Sequence, residues 1–137
     1  MTHVVHPYSH RLGIIRDWKS RWFADKKTYV ENLRGDVLLR EFLVKKLRGM
    51  YISSIQIERD QNTMRVMIHT SRPGMVIGRQ GEGMQKIRTA VGKFARSRKI
   101  PLPVDFKLDV VEVQNTEMDA AIVSAMVAEG LEKRLPF

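Results

Sequence analysis

Two glycines, Gly78 and Gly81, enclose Arg79 and Gln80 in the stretch Val76-Ile77-Gly78-Arg79-Gln80-Gly81-Glu82-Gly83-Met84-Gln85-Lys86-Ile87. Neither glycine has a Cβ, so such a loop turns sharply and lets a ligand's backbone lie close against it. Arg79 adds a fixed positive charge, and free N–H groups at the start of a following helix attract an anion. The chemistry allowed by this spacing is contact with a phosphate-bearing strand. A bare Gly-x-x-Gly pair is more commonly only a turn. Its surroundings raise the functional reading: Val76 and Ile77 precede it, Met84, Ile87, Val91, Phe94 and Ala95 follow at helical spacing, and strand-like alternation flanks both helices.

The other chemistry-bearing side chains are mostly cations. Residues 1–35 read as an irregular arm in which Arg11, Arg16, Lys19, Arg21, Lys26 and Lys27 alternate with Tyr8, Trp18, Trp22, Phe23 and Tyr29. Such cations can lie on phosphates while the rings stack on bases or fill gaps between RNA helices. The alternative for Trp22 and Phe23 is that they staple the arm to the domain, since large rings are usually buried. Farther along, Gln85, Lys86, Thr89, Lys93 and Arg96 share one helix face, suited to an RNA backbone, to an acidic protein surface or simply to solvent. His3, His6 and His10 suggest a metal, but no neighbouring carboxylate or cysteine completes a ligand set. His69 sits alone near a strand end and reads as a structural hydrogen-bonding residue. Glu58, Asp60, Glu112 and Asp119 are scattered among cations without a shared spacing, and no nucleophile–base pair is readable. No catalytic residue, metal or cofactor is expected.

The chain has 137 residues, 43% of them hydrophobic, enough for one cored domain with an appendage. Its net charge of +9 suits a polyanion, nucleic acid before an acidic membrane surface. Without cysteine, neither a disulfide framework nor a cysteine-based zinc site is possible. No apolar run is long enough for a membrane-spanning helix, and the N-terminus lacks the apolar core of a signal peptide. No internal repeat or low-complexity tract is present.

The elements that must hold these residues follow from periodicity. Residues 36–48 read as a helix with Asp36 as N-cap, Leu39, Phe42, Leu43 and Leu47 as apolar stripe, and Gly49 as stop. Alternation predicts strands over 52–59 and 64–70, joined as a hairpin by Asp60, Gln61 and Asn62. Pro73-Gly74 opens a short helix. A longer one runs from about Gly81 to Arg98, where Gly83 and Gly92 each weaken it by about 1 kcal/mol against alanine. Gly92 is expected to mark a close helix contact. After the loop Ile100-Pro101-Leu102-Pro103, the alternation of Val104, Phe106, Leu108 and Val110 predicts a strand. Thr116 is expected to cap a last helix, apolar over a wide arc between 118 and 135, which wants cover on more than one face.

The order helix, strand, strand, helix, glycine loop, helix, strand is the layout of a type II KH module, whose Gly-x-x-Gly loop clamps the backbone of single-stranded nucleotides. The resemblance is more specific still. His6-Pro7, Arg11-Leu12-Gly13-Ile14 and Trp18-x-Ser20-x-Trp22-Phe23-Ala24, followed by His69-Thr70-x-Arg72-Pro73-Gly74-x-Val76-Ile77-Gly78-x-x-Gly81, resemble the bacterial family of small-subunit ribosomal protein S three. That resemblance implies an α+β fold: a type II KH domain over 36–114, with a three-stranded sheet packed on helices, between a basic arm over 1–35 and a C-terminal helix over 115–137. It implies a structural constituent of the small ribosomal subunit in the cytoplasm, bound to rRNA in the subunit head near where mRNA enters. Its partners would be small-subunit rRNA, mRNA and neighbouring head proteins, with no membrane and no cofactor. The RNA-binding residues expected are Gly78, Arg79, Gln80, Gly81, Lys86, Lys93, Arg96 and Arg72, with Arg11, Arg16, Lys19, Arg21 and Trp22 from the arm. In the family the last helix leads to a second α/β domain that carries mRNA unwinding; this sequence stops before it, so that activity is not carried over. The alternative is a freestanding KH-type regulatory or ribosome-assembly factor.

Overall fold

The computed structural model describes residues 4–134. His3 and the closing Leu135-Pro136-Phe137 lie outside the described residues. In chain order the elements are α1 (Pro7–His10), β1 (Ser20–Arg21), α2 (Lys26–Lys46), β2 (Ile52–Arg59), β3 (Thr63–Thr70) and α3 (Pro73–Ile77). A 3₁₀ turn (Arg79–Gly81), α4 (Glu82–Arg98), β4 (Asp105–Glu112), a second 3₁₀ turn (Thr116–Met118) and α5 (Ala120–Glu132) follow.

Alternation builds the sheet as expected. Ile55 and Ile57 of β2 and Met64, Val66 and Ile68 of β3 turn inward and are buried. The Asp60 N–H donates to the Thr63 carbonyl (2.9 Å) and closes the antiparallel hairpin. β4 then returns parallel to β3. A parallel return needs a long crossover, and here α3, the glycine loop and α4 are that crossover. β2, β3 and β4 account for the expected three strands. The arm adds a fourth: β1 pairs parallel with β2, so the order is β1-β2-β3-β4, with nothing paired to the outer side of β4 among the described residues.

Leu39 and Leu43 of α2 and Leu47 at its C-cap, with Val76, Ile87 and Val91 from α3 and α4, cover the sheet's apolar face and complete the core with Phe106. Phe42 and Phe94 stack at 4.4 Å and join α2 to α4. α2 differs from expectation at its start. It begins at Lys26, inside the stretch read as irregular, and Asp25 rather than Asp36 is its N-cap residue. Asp36 is 1% exposed in mid-helix. It accepts the Trp22 indole N–H at Oδ2 (2.7 Å) and the Arg59 Nε–H at Oδ1 (2.7 Å). The helix ends near the expected point, and Gly49 follows with φ +84°.

α5 also starts on another residue. Thr116 opens the 3₁₀ turn, and Asp119 caps the helix by accepting the N–H groups of Ala121 (2.9 Å) and Ile122 (3.3 Å). Burial pushes the Asp119 carboxyl up, but the Ser53 hydroxyl, these two N–H groups and the charge of Arg16 prevail and hold it below the usual range. Ile122 is buried, while Val123, Met126, Val127 and Leu131 stay exposed, so the wide apolar arc is covered on one face. Among the described residues no helix is long and apolar enough to cross a membrane.

Candidate nucleic-acid interface

The glycine loop takes its shape from residues that only a few amino acids could replace. Pro73 starts α3, where a missing N–H does no harm. Gly78 ends it at φ 71°, ψ −179°, a region open essentially to glycine. Gln80 (φ 52°) and Gly81 (φ 81°) are left-handed as well, and the chain then enters the 17 residues of α4. Gly78, Arg79 and Gln80 are exposed, and Gly81 is half-buried. No side chain caps α4; the Glu82 N–H is taken by the Arg79 carbonyl across the 3₁₀ turn.

Gly83 sets the gap between α3 and α4. A Cβ there would lie 2.4 Å from the Val76 carbonyl oxygen, so the two helices meet backbone to backbone. Gly92 does not mark the helix contact expected of it; a Cβ there meets nothing within 4 Å.

Beside the loop a groove of about 400 Å³ runs between α4 and β4. Met84, Gln85 and Arg88 form one wall, and Phe106, Lys107 and Leu108 the other, with the carboxylates of Asp105 and Asp109 on either side of them. Arg88 and Lys107 are exposed and were not among the residues expected from sequence. Arg88 was findable, one helical turn after Gln85; Lys107 needs the parallel register of β4 to bring it there. On α4 itself Lys86 pairs with Glu82 (3.4 Å), and Lys93 and Arg96 are exposed farther along.

A family model described as KH domain matches residues 38–118, from within α2 to the end of the second 3₁₀ turn. The chain belongs to the KH-domain family. A curated relative, Small ribosomal subunit protein uS3 of Nitrosococcus oceani, is 42% identical over 133 residues. That span is 97% of this chain and 56% of the relative, so the chain covers about half the length of the curated relative it matches. The resemblance carried by the arm and the glycine signature thus extends along nearly all of the sequence.

The arm meets the KH domain at the sheet edge opposite the groove. Lys19 stands over the Tyr8 ring (5.3 Å), and the Arg11 Nη1–H donates to the Pro7 carbonyl (3.0 Å). Arg16 is exposed. Arg21 is engaged internally, with Asp17 (3.3 Å), Glu58 (3.5 Å) and the Gln56 amide oxygen (3.1 Å). Trp22 fastens the arm through Asp36 and rests against Tyr29 (5.1 Å), whereas Phe23 is 94% exposed and staples nothing. Arg72, at the far end of α3 from the loop, stacks on the Tyr51 ring (4.5 Å). The Tyr51 hydroxyl donates to Glu129, which raises its pKa. Loop, groove and Lys86 therefore form one cluster on the KH domain, and the arm cations form another.

The remaining candidates fall elsewhere. The His6 Nδ1 accepts the Tyr8 N–H (3.1 Å) at the start of α1. His69 does not hydrogen-bond as expected: its Nε2 is buried without a partner, and burial, then the charge of Arg21, pushes its pKa down. No group of three or more histidines and carboxylates gathers among the described residues.

Proposed function

We propose that this chain is an RNA-binding constituent of the small ribosomal subunit, held on rRNA by its KH domain and by its arm. The observation that carries the reading is the exposed Gly78–Gly81 loop, folded by positive φ at both glycines onto the uncapped start of α4 beside the α4–β4 groove. An RNA backbone lies over the two glycines, with a phosphate against the Arg79 guanidinium. Bases turn toward the groove, where Met84 and Leu108 offer apolar surface, Gln85, Arg88 and Lys107 donate, and Asp105 and Asp109 accept from base amino groups while keeping phosphates out. Lys93 and Arg96 extend the cationic track along α4. Arg11, Arg16 and Lys19 bind a second stretch of backbone at the other sheet edge, where Trp22 holds the arm in place. Arg21 contributes less, because three internal partners already occupy it.

The name of the relative supports the ribosomal setting. In that setting the chain sits in the subunit head, near where mRNA enters, with mRNA and neighbouring head proteins as further partners, and acts by binding rather than catalysis. A freestanding KH regulatory or assembly factor would leave the subunit in high salt; a ribosomal constituent sediments with it.

The test replaces Arg79 and Gln80 by aspartate. Loss of a charged hydrogen bond and introduction of repulsion lower RNA affinity by at least about tenfold and reduce incorporation into small subunits. Unchanged values in both assays remove the loop from the mechanism. Neutralising Arg11 and Arg16 makes the salt dependence of binding shallower by about one to two in log–log slope, and adding Arg21→Gln changes it little further.

A further inference from the structure

At the end of α4 away from the glycine loop, cations from two elements converge. Arg34 of α2 and Arg98 and Lys99 at the end of α4 line a pocket of about 490 Å³, with Glu31, Gly35, Ile100 and Pro101. All three cations are exposed, and none makes an ion pair among the described residues. The backbone beneath them is tightly seated. A Cβ on Gly35 would lie 2.9 Å from the Ile100 Cγ2, and the Ile100 N–H donates to the Ala95 carbonyl (2.9 Å).

Dipole compensation explains a cation in the last turn of a helix. It covers Arg98 and Lys99 but not Arg34, which lies in the interior of α2. Lys99 is the more informative residue. It ends α4 in the left-handed conformation (φ 53°, ψ 42°), where glycine is the usual occupant and a side chain is strained. A lysine there keeps a charge against the local backbone preference.

We propose that Arg34, Arg98 and Lys99 form a second phosphate-backbone site, for a separate segment of folded RNA; this deepens the RNA-binding reading above and rests on it. The 17 residues of α4 place the pocket about 25 Å from the loop at 1.5 Å per residue. About four nucleotides clamped by a KH loop span about 14 Å when stacked at duplex spacing. The strand held at the loop therefore does not reach the pocket, and a folded RNA that brings a second segment alongside does. With three cations, one acid and no aromatic ring in the lining, the site takes phosphates without reading bases.

The experiment measures binding of the full chain to two probes, a single-stranded RNA tetramer and a transcript of the small-subunit rRNA head domain, across a salt series. Arg34→Gln, Arg98→Gln and Lys99→Gln together make the transcript slope shallower by about two to three and leave tetramer affinity unchanged. Lys99→Gly alone raises Tm by relieving the left-handed strain, yet makes the transcript slope shallower by about one. A transcript slope unchanged in the triple variant overturns the site, as do equal losses on both probes. Reduced subunit incorporation with an unaltered transcript slope assigns the pocket to an acidic protein and overturns the RNA assignment. The Arg79→Asp, Gln80→Asp variant weakens both probes, which separates the two sites. Failure of the wild-type chain to bind either probe overturns the RNA-binding reading itself, and this site with it.

Discussion

Asp36 carries a carboxylate into the interior of the protein, and Arg59 and the Trp22 indole are what make it tolerable there. Removing one partner of a buried ion pair strands the other charge without water or counterion. Asp36→Ala therefore destabilises the fold by about 3–5 kcal/mol and frees the arm, read as a lower urea midpoint together with a red-shifted tryptophan emission. Trp22→Phe removes a single hydrogen bond and leaves the ion pair, so it costs about 1–3 kcal/mol. Nothing near Asp36 in sequence announces its role. An aspartate ahead of Leu39, Phe42 and Leu43 looks like a helix cap, and its partners stand 14 and 23 residues away. Gly78 and Gly81 were legible for the opposite reason: left-handed backbone is a local demand that glycine alone meets freely.

At the level of elements, two glycines on one helix behave differently. Gly83→Ala drives a methyl group into the Val76 carbonyl and forces α3 from α4, destabilising the fold by about 1–3 kcal/mol and shifting the loop they carry. Gly92→Ala meets nothing within 4 Å and stabilises by about 1 kcal/mol through helix propensity alone. Paired urea titrations with opposite signs bear this out; equal signs refute it. A sequence cannot distinguish the two, because only the approach of α3 separates them. The strands β2, β3 and β4 were legible because alternation is written within each segment. The first turns of α2 were not, since Tyr29, Val30 and Leu33 are exposed and leave no apolar stripe. β1, two residues long, is shorter than any period that could reveal it.

For the molecule as a whole, the sheet acts as a divider. The arm and its cations lie along β1 and β2, and the glycine loop and groove along β4. The net positive charge was readable from composition, and the placing of arm and loop at opposite sheet edges was not, because it depends on strand order. The same order leaves β4, among the described residues, with one row of main-chain N–H and C=O groups unmatched by another strand. Asp105, Lys107 and Asp109 alternate along that strand, and charges so placed discourage another chain from stacking there. In the free protein they are the guard against strand-to-strand aggregation. Replacing all three by threonine turns the margin into a β-rich template, and light scattering during concentration should climb for that variant while the parent stays monodisperse.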